Sequence, residues 1–243
     1  MISALALLSC LGRGREPQAS AVRWFGPVGA VIGLVLAGAW WVAAELWPPT
    51  LAAAVVVAID AALTGMLHLD GLADCGDGLV APMERARRLE VMRDPSVGAF
   101  GMVTVVLDVL LSVTALAAVD FRWWLLPGVW AASRSVAALV MVRVPYARPE
   151  GLVSAFRPES GDRPAVAAAV GSLLIVGTVA YRSEGPAGLV TLAVALVGAA
   201  GTITLAYRRL GGYTGDVLGA VIVVSQVAAL MAAAALHPTL GAP

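Results

Sequence analysis

VGAVIGLVLAGAWWVAAELWPPTLAAAVVVAIDAALTGMLHLDGLADCGDG, residues 28–78, is the stretch on which the fold turns. It holds two apolar runs, 28–47 and 50–69, joined by Pro48-Pro49. Each run is close to the ~20 residues that a helix needs to cross a hydrocarbon core. A lone segment in lipid must satisfy its own backbone N–H and C=O groups, so both runs are expected to be helices. The short proline connection makes them an antiparallel hairpin. Three aspartates, Asp70, Asp74 and Asp77, follow where the second run leaves the membrane.

Further apolar runs follow at 100–119, 123–142, 165–181, 187–206 and 216–236. The expected fold is all-α: one polytopic integral membrane domain over residues 1–243, with about seven transmembrane helices. Composition agrees, since 60% of residues are hydrophobic and only 13% charged, with a mean hydropathy of +0.87. A soluble domain of this length needs more charge to cover its surface. Ala, Val, Leu and Gly fill the runs, which suits close helix packing in lipid. No inverted repeat of the kind that builds many transporters is visible.

Net charge is zero, which gives no general attraction to nucleic acid. All 16 basic residues are arginine, and 13 of them fall on one side of the seven-span arrangement. They are Arg13, Arg15 and Arg23; Arg85, Arg87, Arg88 and Arg93; Arg143, Arg148, Arg157 and Arg163; and Arg208 and Arg209. Only Arg122 and Arg182 lie on the other side, and Arg134 is inside the fourth span. The positive-inside rule places the arginine-rich loops and the N-terminus in the cytoplasm, and the C-terminus outside. Trp24, Trp47, Trp123 and Trp124 sit at span ends, as interfacial aromatics do. The first twelve residues are apolar, too short to cross and without a basic n-region. They read as a retained helix on the cytoplasmic leaflet. Cys10 and Cys75 make no disulfide framework, and Cys75 reads as a free thiol on the reducing side.

Polar chemistry gathers in the inner loops. His68, Asp70, Asp74 and Asp77 lie in GMLHLDGLADCGDGLVAP, 65–82. Spacings of four and three residues put the acids on one helical face if the helix continues. Three like charges so close call for a cation, and hard carboxylate oxygens suit Mg²⁺ or Mn²⁺ completed by water and substrate phosphate. The bland alternative is a capped, solvated helix end. ERARRLEVMRDPSVGAFG, 84–101, reads as a short amphipathic helix ending before Pro95, with most of its charges solvated. Arg93 and Asp94 stand apart there as site or scaffold.

GGYTGDVLGA, 211–220, opens the last span with a polar turn. Its amides suit an anion, and Asp216 suits either the metal shell or an N-cap. Arg143, Arg148 and Arg157 suit phosphate oxygens, although topology alone accounts for inner arginines. Asp60, Asp108 and Arg134 lie at mid-depth, where ionised groups need a partner or a cavity.

Taken together, HLDGLADCGDG at 68–78, EVMRDPSVGAFG at 90–101, Ser133-Arg134, YARPEGL at 146–152 and GGYTGDVLGA resemble the cobalamin synthase family. These adenosylcobinamide-GDP ribazoletransferases are similar to the chain over nearly its whole length, although SCLGRGREP at 9–17 departs from their pattern. The resemblance implies a Mg²⁺-dependent phosphotransferase of the bacterial inner membrane with its active site at the cytoplasmic ends. Its substrates would be adenosylcobinamide-GDP and alpha-ribazole or alpha-ribazole 5'-phosphate. Asp70, Asp74, Asp77 and Asp216 are then the metal candidates, with one of the first three doubling as base. Arg134 and Arg148 become phosphate contacts, and His68, Arg93, Asp94, Gly212, Thr214 and Gly215 further substrate-binding candidates. Two rivals are weaker. A CDP-alcohol phosphotransferase signature wants Arg where Pro82 stands, and a transporter wants its densest polar groups at the midplane.

Overall fold

The computed structural model describes residues 1–9, 18–148, 153, 156, 158 and 161–236. Cys10, Arg13, Arg15, Arg157 and residues 149–152 of YARPEGL lie outside the described residues. The described chain is all-helical: α1 (Ile2–Leu8), α2 (Phe25–Leu46), α3 (Pro49–Leu63), α4 (Leu67–Cys75), α5 (Arg85–Val91), α6 (Ala99–Ala117), α7 (Leu125–Arg143), α8 (Arg163–Glu184), α9 (Pro186–Leu210) and α10 (Gly215–Leu236). A 3₁₀ turn, Ala19–Trp24, leads into α2, and a π turn, Gly76–Val80, continues α4. Among the described residues, six helices are long and apolar enough to cross a membrane, or seven if α3 and α4 count as one broken span. The protein is a polytopic helical membrane protein.

The second span differs from the straight helix expected over 50–69. It stops at Leu63 and bends by 92° before α4 begins. Thr64 turns its hydroxyl back to the Asp60 carbonyl at 2.8 Å, and Gly65 and Met66 take φ of 60° and 59°. Glycine enters the left-handed region freely, but Met66 does so at a cost of order 1–3 kcal/mol that packing must offset. The compensation is the docking of α4 across α10. Helix α4 thus leaves the line of the crossing and lies across the bundle's arginine-rich end.

Helices α7 and α10 form the centre. Protein buries 89% of the apolar window of α7 and 67% of that of α10, against 22% for α6 and α8. Ser133, Arg134 and Ser135 explain why α7 is the enclosed one, because all three are buried polar groups. A central arginine facing lipid costs roughly 2.5–3.5 kcal/mol on insertion scales. Here Arg134 is 0% exposed. With its amide oxygen facing them, Gln226 accepts from Arg134 Nη1 at 2.6 Å and from Trp130 Nε1 at 3.1 Å. Trp130 Nε1 also donates to Asp60 Oδ1 at 2.8 Å, and the Asp60 charge acts on Arg134. Asp60, Trp130, Arg134 and Gln226 therefore tie α3, α7 and α10 together inside the bundle. Asp60, Asp108, His68 and Gln226 also share the wall of a cavity of about 40 Å³.

Arg134→Met should lower folded yield in membranes, since removing one charge of a buried set typically costs about 3–5 kcal/mol. Adding Asp60→Asn should restore part of the loss, as read by fluorescence-detected size exclusion. Unchanged yield in the single variant would show that Arg134 does not hold the bundle.

Candidate active site

Two glycines set the position of the acid helix. A Cβ on Gly71 would lie 2.7 Å from the Asp216 carbonyl oxygen, and one on Gly219 would lie 3.2 Å from the His68 backbone. Helices α4 and α10 therefore touch backbone to backbone, which brings Asp70 and Asp74 beside Asp216. A second contact sets Arg148. Tyr213 N donates to the Pro145 carbonyl at 2.9 Å and Ala147 N to the Tyr213 carbonyl at 2.8 Å. The Tyr146 and Tyr213 rings meet edge to face at 5.1 Å. This stitch holds Arg148 Nη2 at 2.9 Å from Asp216 Oδ2 and 3.1 Å from the Met92 carbonyl. The result is a pocket of about 140 Å³ lined by His68, Asp70, Tyr146, Arg148 and Asp216, with Leu8, Phe25 and Val153 among its apolar walls.

Asp77 does something else. Its two oxygens accept from Gly98 N at 2.7 Å and Gly101 N at 2.9 Å, capping the start of α6. Gly98 and Gly101 are needed for this approach, since a Cβ on either would lie 2.5 Å from an Asp77 oxygen. Arg88 closes the other end of the π turn. It donates through Nη1 to the carbonyls of Gly78 (2.7 Å), Leu79 (3.2 Å) and Ala81 (2.9 Å). It is 2% exposed, not part of a solvated charged face as expected for residues 84–101. The π turn leaves its last carbonyls without helical partners, and a guanidinium under them satisfies three at once. The sequence marks this only as one arginine among several.

Burial raises the Asp74 carboxyl to about 7; repulsion from Asp216, Asp70 and Asp77 adds to this, and Arg148 opposes it. Among the described residues, no three His, Cys, Asp or Glu side chains converge as a ready-made metal cage. The donor chemistry nonetheless fits a hard divalent cation: the exposed Asp70 and the partly buried Asp74 and Asp216 repel one another, with room for phosphate oxygens. Magnesium commonly takes only one or two carboxylates and fills its shell with water and substrate phosphate. Asp70 and Asp216 in the pocket wall, with Asp74 beside them, could hold such a cation, which would offset the charge of a bound phosphate, and Arg148 contributes positive charge directly.

The profile of the cobalamin-5-phosphate synthase family matches residues 1–234. The chain belongs to that family. Relatives named adenosylcobinamide-GDP ribazoletransferase include one from Chlorobium phaeobacteroides, 36% identical over 90% of this chain and 89% of the relative. One from Bradyrhizobium diazoefficiens is 38% identical over 88% and 83%, and one from Pseudomonas aeruginosa 38% over 90% and 88%. No solved structure matches the chain significantly.

The remaining family-motif residues fall into distinct places. His68 is buried and lines both the acid pocket and the intramembrane cavity. Gly215 lines the acid pocket. Gly212 lies against the Pro145 carbonyl, and Thr214 Oγ1 both donates to Asp216 Oδ2 at 3.1 Å and accepts from Val217 N at 3.3 Å. Thr214, not Asp216, is thus the cap of α10. Arg93 and Asp94 are exposed, and Asp94 accepts from Ser96 N at 2.9 Å, which holds its carboxyl below the usual range. Arg134 lies outside the acid pocket, in the bundle interior. Cys75 is buried, and burial pushes its thiol well up.

Asp74→Asn and Asp77→Asn should therefore separate cleanly. Removing the Asp74 charge relieves repulsion, so thermal stability in detergent should hold or rise while turnover falls by at least about a hundredfold. Asp77→Asn turns an amide N–H₂ toward a backbone N–H. It should lose stability by about 1 kcal/mol, the worth of a helix cap. Equal stability effects in the two variants would contradict these roles.

Proposed function

We propose that this chain joins adenosylcobinamide-GDP to alpha-ribazole, or to alpha-ribazole 5'-phosphate. The products are adenosylcobalamin, or its 5'-phosphate, and GMP. Family membership supports the reaction, and the observation that carries it at atomic level is the pocket lined by Asp70, Asp216 and Arg148, with the Asp74 carboxyl close enough to feel the charges of all three. A diphosphate is cleaved in this reaction, and that pocket is where a diphosphate and its counter-charge fit.

A ribose hydroxyl of the acceptor attacks the phosphorus next to cobinamide. The new O–P bond forms as the bond to the GMP phosphate breaks, with the electron pair leaving on GMP. The hydroxyl proton must pass to a base. Asp74 suits this role because its raised carboxyl is poised close to neutrality. Asp77 suits it less, since both its oxygens already accept backbone amides. Arg148 faces the pocket and steadies phosphate oxygens. Mg²⁺, held by Asp70, Asp74 and Asp216, would supply neutralisation of the diphosphate and of the leaving phosphate. About 140 Å³ is small against the 300–1,000 Å³ of ordinary ligand pockets, so it accommodates the reacting phosphates while the corrin and bases stay outside.

The assay is direct: purified protein, adenosylcobinamide-GDP and alpha-ribazole, with GMP release followed by chromatography. GMP should appear only with Mg²⁺ present, and its absence under all conditions would overturn the assignment. The acid limb of the pH profile tests Asp74. Its base form is the working form and its carboxyl is raised, so activity should fall as pH drops through about 7 at limiting Mg²⁺. More Mg²⁺ should shift that limb to lower pH, because cation and proton compete for the same oxygens.

The site is placed at the cytoplasmic face of the bacterial inner membrane, on the support of the arginine distribution. Single cysteines replacing the exposed Arg87 and Asp120, in a background lacking Cys10 and Cys75, report the orientation. A membrane-impermeant maleimide should label position 120 in intact spheroplasts and position 87 only in inverted vesicles. The opposite pattern would put the site outside.

A further inference from the structure

Helices α2 and α8 both pack on α7 but touch each other little, so α7 floors a groove between them. The groove encloses about 570 Å³ and shares no lining residue with the acid pocket. Its walls include Ala30, Leu34, Pro127, Gly171 and Ile175. Leu34 and Ile175 are 56% and 66% exposed, so the groove opens toward lipid. Along α8 it runs from Ala167 to Val179, roughly 18 Å of helix rise. That is more than half of a ~30 Å hydrocarbon core, and Trp123 and Trp124 close its far end.

At the arginine-rich end the groove runs into a polar hollow lined by Arg23, Asp162 and Arg163, and Arg23 belongs to both. Arg23 pairs with Asp162 at 3.4 Å but remains 43% exposed, leaving guanidinium nitrogens free to turn outward. Arg163 is exposed at the first position of α8, and among the described residues it forms no ion pair. Two arginines against one aspartate leave the mouth positive, and the start of α8 adds partial positive charge. An apolar slot ending in a positive mouth is complementary to an amphiphile with an anionic head.

We propose that this composite hollow binds one anionic phospholipid, with an acyl chain in the α2–α7–α8 groove and its phosphate between Arg23 and Arg163. A choline head would bring a second cation against the arginines, so phosphatidylglycerol should be retained over phosphatidylcholine. Gly171 offers a clean probe, because a Cβ there meets nothing within 4 Å. A leucine at that position fills the slot without disturbing helix packing.

The experiment is native mass spectrometry of the full-length protein in detergent, incubated with phosphatidylglycerol or phosphatidylcholine. Wild type should keep one phosphatidylglycerol with about fivefold preference, the discrimination expected of one arginine at a membrane surface. Gly171→Leu and Arg163→Gln should each cut that retention by about fivefold or more, with lipid-free thermal stability unchanged. Equal retention of the two lipids, or undiminished phosphatidylglycerol on Gly171→Leu, would overturn the proposal. So would a wild-type dimer that carries no lipid and dissociates in Gly171→Leu, because a second copy would then occupy the groove.

Discussion

The backbone contact between α4 and α10 is the constraint on which the site depends. Gly71 lies against the Asp216 carbonyl because neither helix presents a side chain there. Without that contact Asp70 and Asp74 would be one helix's polar face, and Asp216 an unrelated acid well over a hundred positions downstream. The contact also requires the right-angle turn after Leu63, since a straight second span would carry the aspartates away from α10. The left-handed Met66 is therefore strain retained for function, held in place by the docking that it permits.

The bundle beneath answers the same need by other means. An arginine at mid-span forces α7 into the interior, where the Asp60 charge on α3 acts on it and Gln226 on α10 accepts from its Nη1, while its Nε and Nη2 have no hydrogen-bond partner among the described residues. Because α7 and α10 are both enclosed, the acid pocket on α10 rests on a rigid floor. Its neighbours in sequence on the inner side are tied to it at particular points: Arg148 through the Tyr146–Tyr213 bridge, and the start of α6 through Asp77.

Much of this was legible in the sequence, and the reasons are specific. Membrane helices declare themselves because a span's length and apolarity are fixed by the solvent. The acids at 70–77 declare themselves because like charges at helical spacing have few structural uses. What stayed hidden was pairing at a distance. Nothing local separates Asp77, a helix cap, from Asp74, a carboxylate coupled to Asp70 and Asp216, three residues away. Nothing local separates Arg88, which closes a π turn, from its exposed neighbours Arg85 and Arg87. Arg134 was read as a phosphate contact on the resemblance, and it lies in the bundle interior. The break at Thr64-Gly65 stayed hidden too, because a glycine inside an apolar run is ordinary in a membrane helix.

Charge accounting gives the pocket its direction. Asp70 and Asp216 line the pocket with a single arginine, and Asp74 lies within reach of their charges, so acids outnumber cations at the site. Its substrate is proposed to be a diphosphate, itself anionic, and two anionic partners in a half-buried site repel strongly. The proposed Mg²⁺ would relieve that repulsion by entering with the substrate or ahead of it. Burial, with repulsion from the neighbouring acids added, holds the Asp74 carboxyl raised. The same repulsion that makes the pocket unfavourable alone makes it selective, since an uncharged ligand brings no cation and relieves nothing. Arg148 alone cannot close the balance, because it is already engaged by Asp216 and by the Met92 carbonyl. Its place is to fix where the remaining positive charge must go: on the Asp74 side, where the bond to phosphorus is proposed to form.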